Sequence, residues 1–249
     1  MKKQISRLLL LGISVLAVSA CTKTDNYEGP NASFEGRIID ATTGENLQSE
    51  TGSTQIRLEQ QDWETTASPQ TIPSKYDGTF KDTKLFKGKY KVVPTNGGFW
   101  PVYDTATVDI GSNTQHNFEV TPYAKITNFS SELVDGNTLR LTFTIDPPVT
   151  AGLPTLRTIQ PLVNITSMVG TGATIRDYSV TERLNMNGKA FAELPDVSTD
   201  VDVAGKTMTL EVPNLKRGTK FYVRVGVQWN DSFASWNLSN ILEVQVPNE

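Results

Sequence analysis

The sequence predicts an all-β protein in which two consecutive β-sandwich domains follow an exported N-terminal segment. From Ser33 onward apolar and polar residues alternate with a period of two, as in strands that bury one face. Turn formers such as Asp77-Gly78, Lys87-Gly88 and Asn96-Gly97-Gly98 separate these runs at the spacing typical of sandwiches. No amphipathic run of helical length follows the N-terminal segment. A chain of 249 residues with 37% hydrophobic content can bury two cores.

Residues 1–20 have the composition of an export signal. Lys2, Lys3 and Arg7 precede an apolar run over 8–18, and small residues lead up to Cys21. This ending resembles the lipobox of bacterial lipoproteins, which implies cleavage before Cys21 and acylation of that cysteine. An ordinary export signal followed by a chance cysteine is the alternative. Cys21 is the only cysteine of the sequence, so we expect no internal disulfide.

Residues 21–32 are polar and predict an extended tether between the lipidated end and the first domain. In the sorting rule that accompanies the lipobox resemblance, Asp after the cysteine retains a lipoprotein in the inner membrane. Thr22 occupies that position, so the resemblance implies a lipid anchor in the outer membrane. We expect the protein at the cell surface, although the sorting rule does not choose between the two leaflets. Without residues 1–20 the formal charge moves from -4 to about -7, with no basic tract. We therefore expect no nucleic-acid partner.

The first predicted domain covers residues 33–121. Its strands are indicated by alternating apolar residues in 34–38, 56–58, 90–92, 108–110 and 118–120. The order FEGRIIDATTGENL, IRL, DGTF, LFKGKYKV and HNFEV resembles a carboxypeptidase regulatory-like, or transthyretin-like, sandwich. The resemblance implies a β-sandwich over about residues 33–120.

The second predicted domain covers residues 122–249. Pro122 ends the preceding ladder, and a new alternation runs through Leu139–Ile145. The segments 215–225 and 236–246 resemble the last two strands of immunoglobulin-like fibronectin type III domains. Residues 146–196 fit that pattern poorly because they contain several prolines, so we expect long loops or an edge insertion there.

Together, the lipobox, the tether and the two sandwiches resemble a Bacteroidetes outer-membrane lipoprotein family that is catalogued as a domain of unknown function. Members often accompany the glycan importers of polysaccharide utilisation loci. The resemblance covers nearly the whole mature chain and implies a role in glycan capture. It supplies no functional residue.

Residues for general acid-base or nucleophilic catalysis are scarce. His116 is the only histidine, and its parity with Phe118 predicts a partly buried, structural side chain. A zinc site or a nucleophile paired with histidine would need further ligands or partners. Asp196, Asp200 and Asp202 could gather around calcium, but their strand spacing favours a solvated face. We expect no enzyme activity, no metal and no cofactor, although a pair of carboxylates could in principle hydrolyse a glycosidic bond.

Candidate ligand-binding residues are aromatic, since indole and phenyl faces stack on the C–H faces of sugars. In the segment 96–103, Pro101 interrupts any regular ladder, so Phe99, Trp100 and Tyr103 are candidates. Trp63 is a further candidate because its neighbours are polar. The alternative, equally weighted, is that Trp100 and Tyr103 close the open end of the first sandwich.

The segment 229–236, WNDSFASW, contains three more rings. Trp229 shares odd parity with Val225 and Val227 and is expected in the core. Trp236 is assigned to the core face of the last strand together with Leu238, Leu242, Val244 and Val246. Phe233 lies at the tip between the strands and is the remaining ligand-binding candidate.

These observations favour a non-catalytic cell-surface lipoprotein that binds a polysaccharide or oligosaccharide, or assists a glycan-uptake complex. A structural accessory subunit is the alternative. It would dock on an outer-membrane importer or adhesin and have no ligand of its own. A carboxylate-dependent hydrolase is the third hypothesis.

Overall fold

A computed structural model describes residues 28–63, 67–198 and 204–249. Strands make up 50% of the structure and helices 3%, so the predicted all-β, two-sandwich architecture is confirmed. The signal segment, Cys21, Asp200 and Asp202 lie outside the described residues, and their predicted roles stay predictions. No helix in the described ranges combines the length and apolar character needed to cross a bilayer.

The first sandwich packs two sheets around one core. One sheet has the order β4-β1-β7, with β8 also paired to β1, and the other has the order β3-β2-β5-β6. The strands are β1 Ala32–Asp40, β2 Gln55–Gln60, β3 Gln70–Pro73, β4 Thr79–Leu85, β5 Gly88–Thr95, β6 Ala106–Ile110, β7 Thr114–Gln115 and β8 Phe118–Val120. Alternating residues of these strands form the core, among them Phe34, Ile38, Ile56, Leu58, Phe80, Tyr90 and Val92.

A backbone irregularity lies beside β1, which pairs in parallel with β7 and then with β8. Between β7 and β8 the chain passes through His116, whose carbonyl oxygen would lie 1.8 Å from a Cβ added at Gly36. Only glycine fits at this position, because a side chain would collide with backbone that cannot move away. The backbone between β7 and β8 therefore packs closely on β1.

The second sandwich packs a sheet of order β13-β10-β9 on a sheet of order β12-β11-β14-β15, with β16 also paired to β14. Its strands are β9 Lys125–Val134, β10 Thr138–Asp146, β11 Leu156–Asn164, β12 Leu184–Lys189, β13 Lys206–Val212, β14 Lys220–Trp229, β15 Trp236–Leu238 and β16 Leu242–Gln245. A four-residue helix, α1 (Arg176–Ser179), and a 3-10 turn, Phe191–Glu193, lie between β11 and β13. The core includes Leu139, Leu141, Phe143, Ile159, Phe221, Val223, Val225, Val227 and Trp229.

The expectation of loops or an edge insertion over residues 146–196 is only partly met. β11 runs through this region and lies between β12 and β14, so it is an inner strand. Pro161 pairs with Val225 of β14, whereas pairing with β12 ends at Ile159. The proline lies beyond the last β12 pair, where the missing N–H removes no ladder hydrogen bond.

The last strand is interrupted, and this overturns the predicted grouping of its apolar residues. β15 and β16 both pair with β14, but Ser239 to Ile241 separate them. Val244 and Val246 belong to the main core of the second sandwich, whereas Leu238 belongs to a separate cluster with Leu162 and Val169. Since the break shifts the alternation, Trp236 and Leu238 lie on the opposite face of the sheet from Val244.

Arg224 of β14 joins the two sandwiches through a buried guanidinium group. The side chain is 0% exposed. Its Nε and Nη2 donate to the Ser239 carbonyl oxygen at 3.0 and 2.6 Å, and its Nη1 donates to the Ser49 carbonyl oxygen of the first sandwich at 3.1 Å. Burial lowers the pKa of Arg224 to about 10, and the opposing effect comes from Glu50. The guanidinium therefore remains charged at neutral pH, and carbonyl oxygens from both domains stabilise it.

Candidate functional site

A groove of about 320 Å³ lies where the two sandwiches meet. The first domain contributes small and polar residues from the ends of β2 and β5, and the second domain contributes the loop between β14 and β15. The lining consists of Gly52, Ser53, Gln55, Asn96, Gly97, Phe233, Ala234, Ser235 and Trp236. The groove thus places two aromatic rings opposite amide and hydroxyl groups.

Gly98 allows the two domains to approach at backbone distance beside this groove. A Cβ at Gly98 would lie 2.6 Å from the Trp236 carbonyl oxygen. The Gly98 carbonyl oxygen accepts a hydrogen bond from Nδ2 of Asn237 at 2.8 Å. Oδ1 of buried Asn237 accepts from Trp229 Nε1 at 2.7 Å and from the Ala124 backbone N–H at 3.2 Å. Asn237 therefore connects the core of the second sandwich to the wall of the groove.

The loop that carries Phe233 is held by Asp231. One carboxylate oxygen of Asp231 accepts from the Ser235 backbone N–H at 2.8 Å, and the other accepts from the Ser235 hydroxyl at 2.9 Å. The Ala234 N–H donates to the Asp231 carbonyl oxygen, and Ala234 itself has φ of 50°. Such local bonds stabilise a tight turn. Phe233 therefore projects from a constrained turn and remains 61% exposed.

Trp236 forms the inner aromatic wall of the groove. Its ring lies over Gly226 of β14, where an added Cβ would come within 2.9 Å of the indole. The side chain is half-buried and packs on the cluster of Leu162, Val169 and Leu238. The groove therefore has one fixed ring and one projecting ring, with Asn96 and Gln55 opposite. This arrangement can stack on an apolar ring face while amides bond to polar substituents.

Phe99 is a corrected candidate, because the structure buries it. The side chain is only 4% exposed and belongs to the core of the first sandwich. An isolated bridge between Phe99 and Pro122 replaces the regular ladder that Pro101 prevents. A single bridge is enough to direct the ring inward, so Phe99 cannot stack on a surface ligand.

The next residue, Trp100, packs in the opposite direction, against the core of the second sandwich. Its ring meets Tyr123 edge-on at 5.5 Å, and Tyr123 in turn lies 5.8 Å from the Trp229 ring. Tyr103, three residues later, is 87% exposed and is not part of the groove lining. Phe99 and Trp100 therefore have packing roles. The alternative interpretation is wrong, because Tyr103 is exposed and Trp100 packs on the second sandwich rather than closing the first.

Trp63 lies on a different surface from the groove. It is 49% exposed and contacts Phe86, with ring centroids 5.9 Å apart and an edge-on geometry. The structure thus does not bring the candidates together. Phe233 alone among them lines the groove.

His116 has a packing role, as expected. It is half-buried, and its ring lies edge-on to Phe118 with centroids 4.8 Å apart. Within the ranges that the structure describes, no group of three His, Cys, Asp or Glu side chains could hold a metal ion. Asp196 accepts hydrogen bonds from the Ser198 and Thr207 backbone N–H groups, and these bonds lower the pKa of its carboxyl group.

Sequence reasoning missed the lining residues Ser53, Gln55 and Asn96, and it assigned Trp236 to the core. The turn at Asn96-Gly97-Gly98 was predicted, and Asn96 has a left-handed φ of 66° there. The position of Asn96 opposite Phe233 depends on how the two domains dock, and a local sequence pattern cannot predict this docking. The small residues Gly97 and Gly98 were the available signal, since they permit close backbone approach.

These observations define a class: a β-sandwich protein of two tightly joined domains with an aromatic groove at their junction. The chain belongs to the DUF3823 family. A family model described as "Protein of unknown function (DUF3823) N-terminal domain" matches residues 32–121. A second, "Domain of unknown function (DUF3823_C)", matches residues 124–243.

Solved structures of similar proteins share the fold. A DUF3823 family protein from Bacteroides uniformis is 23% identical, with a TM-score of 0.72 over 88% of this chain and 100% of its own. A protein from the same organism described as a "putative carbohydrate binding protein" is 20% identical, with a TM-score of 0.68 over 87% and 100%. A DUF3823 family protein from Parabacteroides merdae is 21% identical, with a TM-score of 0.66 over 88% and 100%. No curated protein matches the chain.

Proposed function

We propose that this protein is a non-catalytic lipoprotein of the outer-membrane surface that binds a glycan in the groove between its two sandwiches. One observation carries the proposal: Phe233, 61% exposed on a constrained turn, stands beside Trp236 and opposite the polar residues Gln55 and Asn96. A sugar ring can stack on either aromatic face while its hydroxyls bond to the amides. The relative described as carbohydrate-binding supports the same class of ligand.

The rigid turn that carries Phe233 supports a ligand-binding role for this exposed ring. An aromatic side chain on a backbone turn that is fixed before the ligand arrives loses less conformational freedom on binding than one on a mobile loop. The bonds from Ser235 to the Asp231 carboxylate provide this fixation on one side, and the Gly98–Asn237 contact fixes the other wall. The anchoring part of the proposal rests on the lipobox-like residues before Cys21, and a position beside a glycan importer rests on the family resemblance.

Affinity electrophoresis on a panel of neutral polysaccharides tests the ligand. We expect at least one polysaccharide to retard the protein, and we expect Phe233→Ala to weaken that binding by about tenfold or more, as for a central aromatic contact. Trp63→Ala is the matched control, since it removes an exposed ring outside the groove. It should leave retardation unchanged.

Three outcomes would contradict parts of the proposal. If Trp63→Ala weakens binding and Phe233→Ala does not, the groove is the wrong site. If a bound glycan acquires new reducing ends during incubation, the protein is a hydrolase. If no polysaccharide retards it but a membrane complex is recovered with it in native detergent, the accessory-subunit hypothesis is correct.

A further inference from the structure

A second depression, of about 590 Å³, lies on the outer face of the β4-β1-β7 sheet, away from the groove. It is lined by outward-facing residues of β1 and β4 and by residues 115–117, where the chain passes from β7 to β8. Its volume falls within the range of about 300–1,000 Å³ that is usual for ligand sites. Besides Gly36 and Phe80, polar and charged residues line it: Glu35, Arg37, Lys75, Thr79, Lys81, Gln115, His116 and Asn117.

The charge of this depression is opposite to that of the whole chain. Three cations and one carboxylate line it, whereas the sequence has a formal net charge of -4. Lys81 lies 2.6 Å from Glu35, and Gln115 Nε2 donates to the other Glu35 oxygen at 2.9 Å. Both carboxylate oxygens are thus engaged, and Lys81 and Gln115 lower the pKa of Glu35. Glu35 and Lys81 form an ion pair, and Arg37 and Lys75 supply the other two positive charges; Lys75 also helps to lower the pKa values of Glu35 and Asp77 without forming an ion pair with either carboxylate.

Arg37 and Lys75 provide the remaining positive charge. Both side chains are exposed, and neither forms an ion pair among the residues that the structure describes. Asn117 Oδ1 accepts from the Arg37 backbone N–H at 3.1 Å, which fixes the Asn117 amide and leaves its Nδ2 as a donor. The depression therefore combines two available cations with an oriented amide. This is donor chemistry for an oxyanion.

We propose that this depression binds the carboxylate or sulfate group of an acidic saccharide. Arg37 and Lys75 would contact the oxyanion, and Asn117 and Gln115 would lie beside the sugar hydroxyls. A saccharide fits better than a nucleic acid because the positive charge is confined to one hollow in an acidic chain, whereas phosphate backbones require an extended basic surface. The site is separate from the groove and does not depend on Phe233.

Binding of dextran sulfate, carboxymethyl dextran and unmodified dextran to the purified full chain tests the proposal by isothermal titration calorimetry. The three polymers share a backbone and differ in the anionic group. We expect Arg37→Gln or Lys75→Gln to weaken binding of one or both anionic polymers about two- to fivefold, and the double variant about tenfold. Binding should also weaken as ionic strength rises.

The double variant Lys89→Gln, Lys91→Gln is the matched control, since it removes two exposed cations from β5 in the opposite sheet. It should bind as the unaltered chain does. Equal weakening in both double variants, or no binding of either anionic polymer, overturns the proposal. Competition by inorganic sulfate at the same affinity per anionic group would show that a free anion, not a saccharide, is recognised, and this also overturns it. Phe233→Ala should leave binding of the anionic polymer unchanged, so that failure of the groove and failure of this site are distinguishable.

Discussion

The segments 96–103 and 229–236 are similar in composition and differ in what their rings do. Each contains three aromatic residues near small or turn-forming ones, and the two meet where Gly98 touches Trp236 and Asn237. In the first segment Phe99 and Trp100 are used for packing. In the second, Trp229 alone is fully buried, and Phe233 and Trp236 line the groove.

The difference shows that density of aromatic residues does not by itself identify a ligand site. Phe99 and Trp100 point to opposite sides of an extended segment, and a different domain core lies on each side. Phe233 lies on a turn, where alternation ends and the ring has no core to enter. Whether an aromatic residue lies in an extended segment or on a turn beyond a strand therefore distinguishes rings that pack in a core from rings that can contact a ligand.

The largest expected effect tests this contrast within the first segment. Trp100→Ala should lower the free energy of unfolding by about 2–3 kcal/mol, somewhat less than for a fully buried tryptophan, because the ring is half-buried between Tyr123 and the second core. Tyr103→Ala should change it by less than about 0.5 kcal/mol, since the side chain is 87% exposed. Chemical denaturation of both variants measures the difference. Equal effects would mean that the two rings are not distinguished by packing.

The next effect concerns the contact between the segments. Gly98→Ala should destabilise the protein by about 1–2 kcal/mol, because its Cβ would collide with the Trp236 carbonyl oxygen. The same variant should weaken glycan binding, since the two walls of the groove would be pushed apart. Gly29→Ala is the control, as no atom lies within 4 Å of its added Cβ. Denaturation midpoints and affinity electrophoresis check both parts, and an unchanged Gly98→Ala protein would show that the close approach does not hold the walls.

The smallest effect concerns Tyr123, whose ring lies between Trp100 and Trp229. Burial, with smaller contributions from Asp231 and Tyr103, raises the pKa of Tyr123 to about 12. An unfolded tyrosine ionises with a pKa of about 10. Between these values the unfolded chain releases a proton that the folded chain keeps, so stability should fall as pH rises from about 10 to 12.

Tyr123→Phe isolates this contribution, because it keeps the ring and removes the hydroxyl. We expect its denaturation midpoint to fall less steeply than that of the unaltered chain above about pH 10. The comparison cancels the other tyrosines, including Tyr90, whose pKa is also raised by burial. Parallel decreases in the two proteins would contradict a protonated, enclosed Tyr123.

Much of the fold could be predicted because it depends on local alternation. The odd residues of β14, from Phe221 to Trp229, are buried as their parity indicated. The prediction for Trp236 and Leu238 was wrong for a specific reason. Ser239 interrupts the last strand, and its hydroxyl oxygen accepts a hydrogen bond from the Val225 backbone N–H at 2.9 Å. A side chain that replaces a backbone partner leaves no periodic signal in the sequence.

The candidate site could be predicted only in part, for the same reason. Phe233 was found because a ring in a polar turn is conspicuous, but Asn96 and Gln55 come from another domain. Their meeting with Phe233 depends on Arg224, Asn237 and Gly98, each of which binds or touches backbone across the junction. Such contacts form only when the two folded domains dock, so a local sequence pattern does not predict them.

The guanidinium of Arg224 has a mechanical consequence. The guanidinium donates hydrogen bonds to a carbonyl oxygen from each sandwich. Bending at the junction would break some of these bonds and leave a buried cation without acceptors, which is strongly unfavourable. The two domains should therefore move together as one rigid body. A force that acts on the N-terminal end of the first domain would then be transmitted through the junction to a ligand held in the groove.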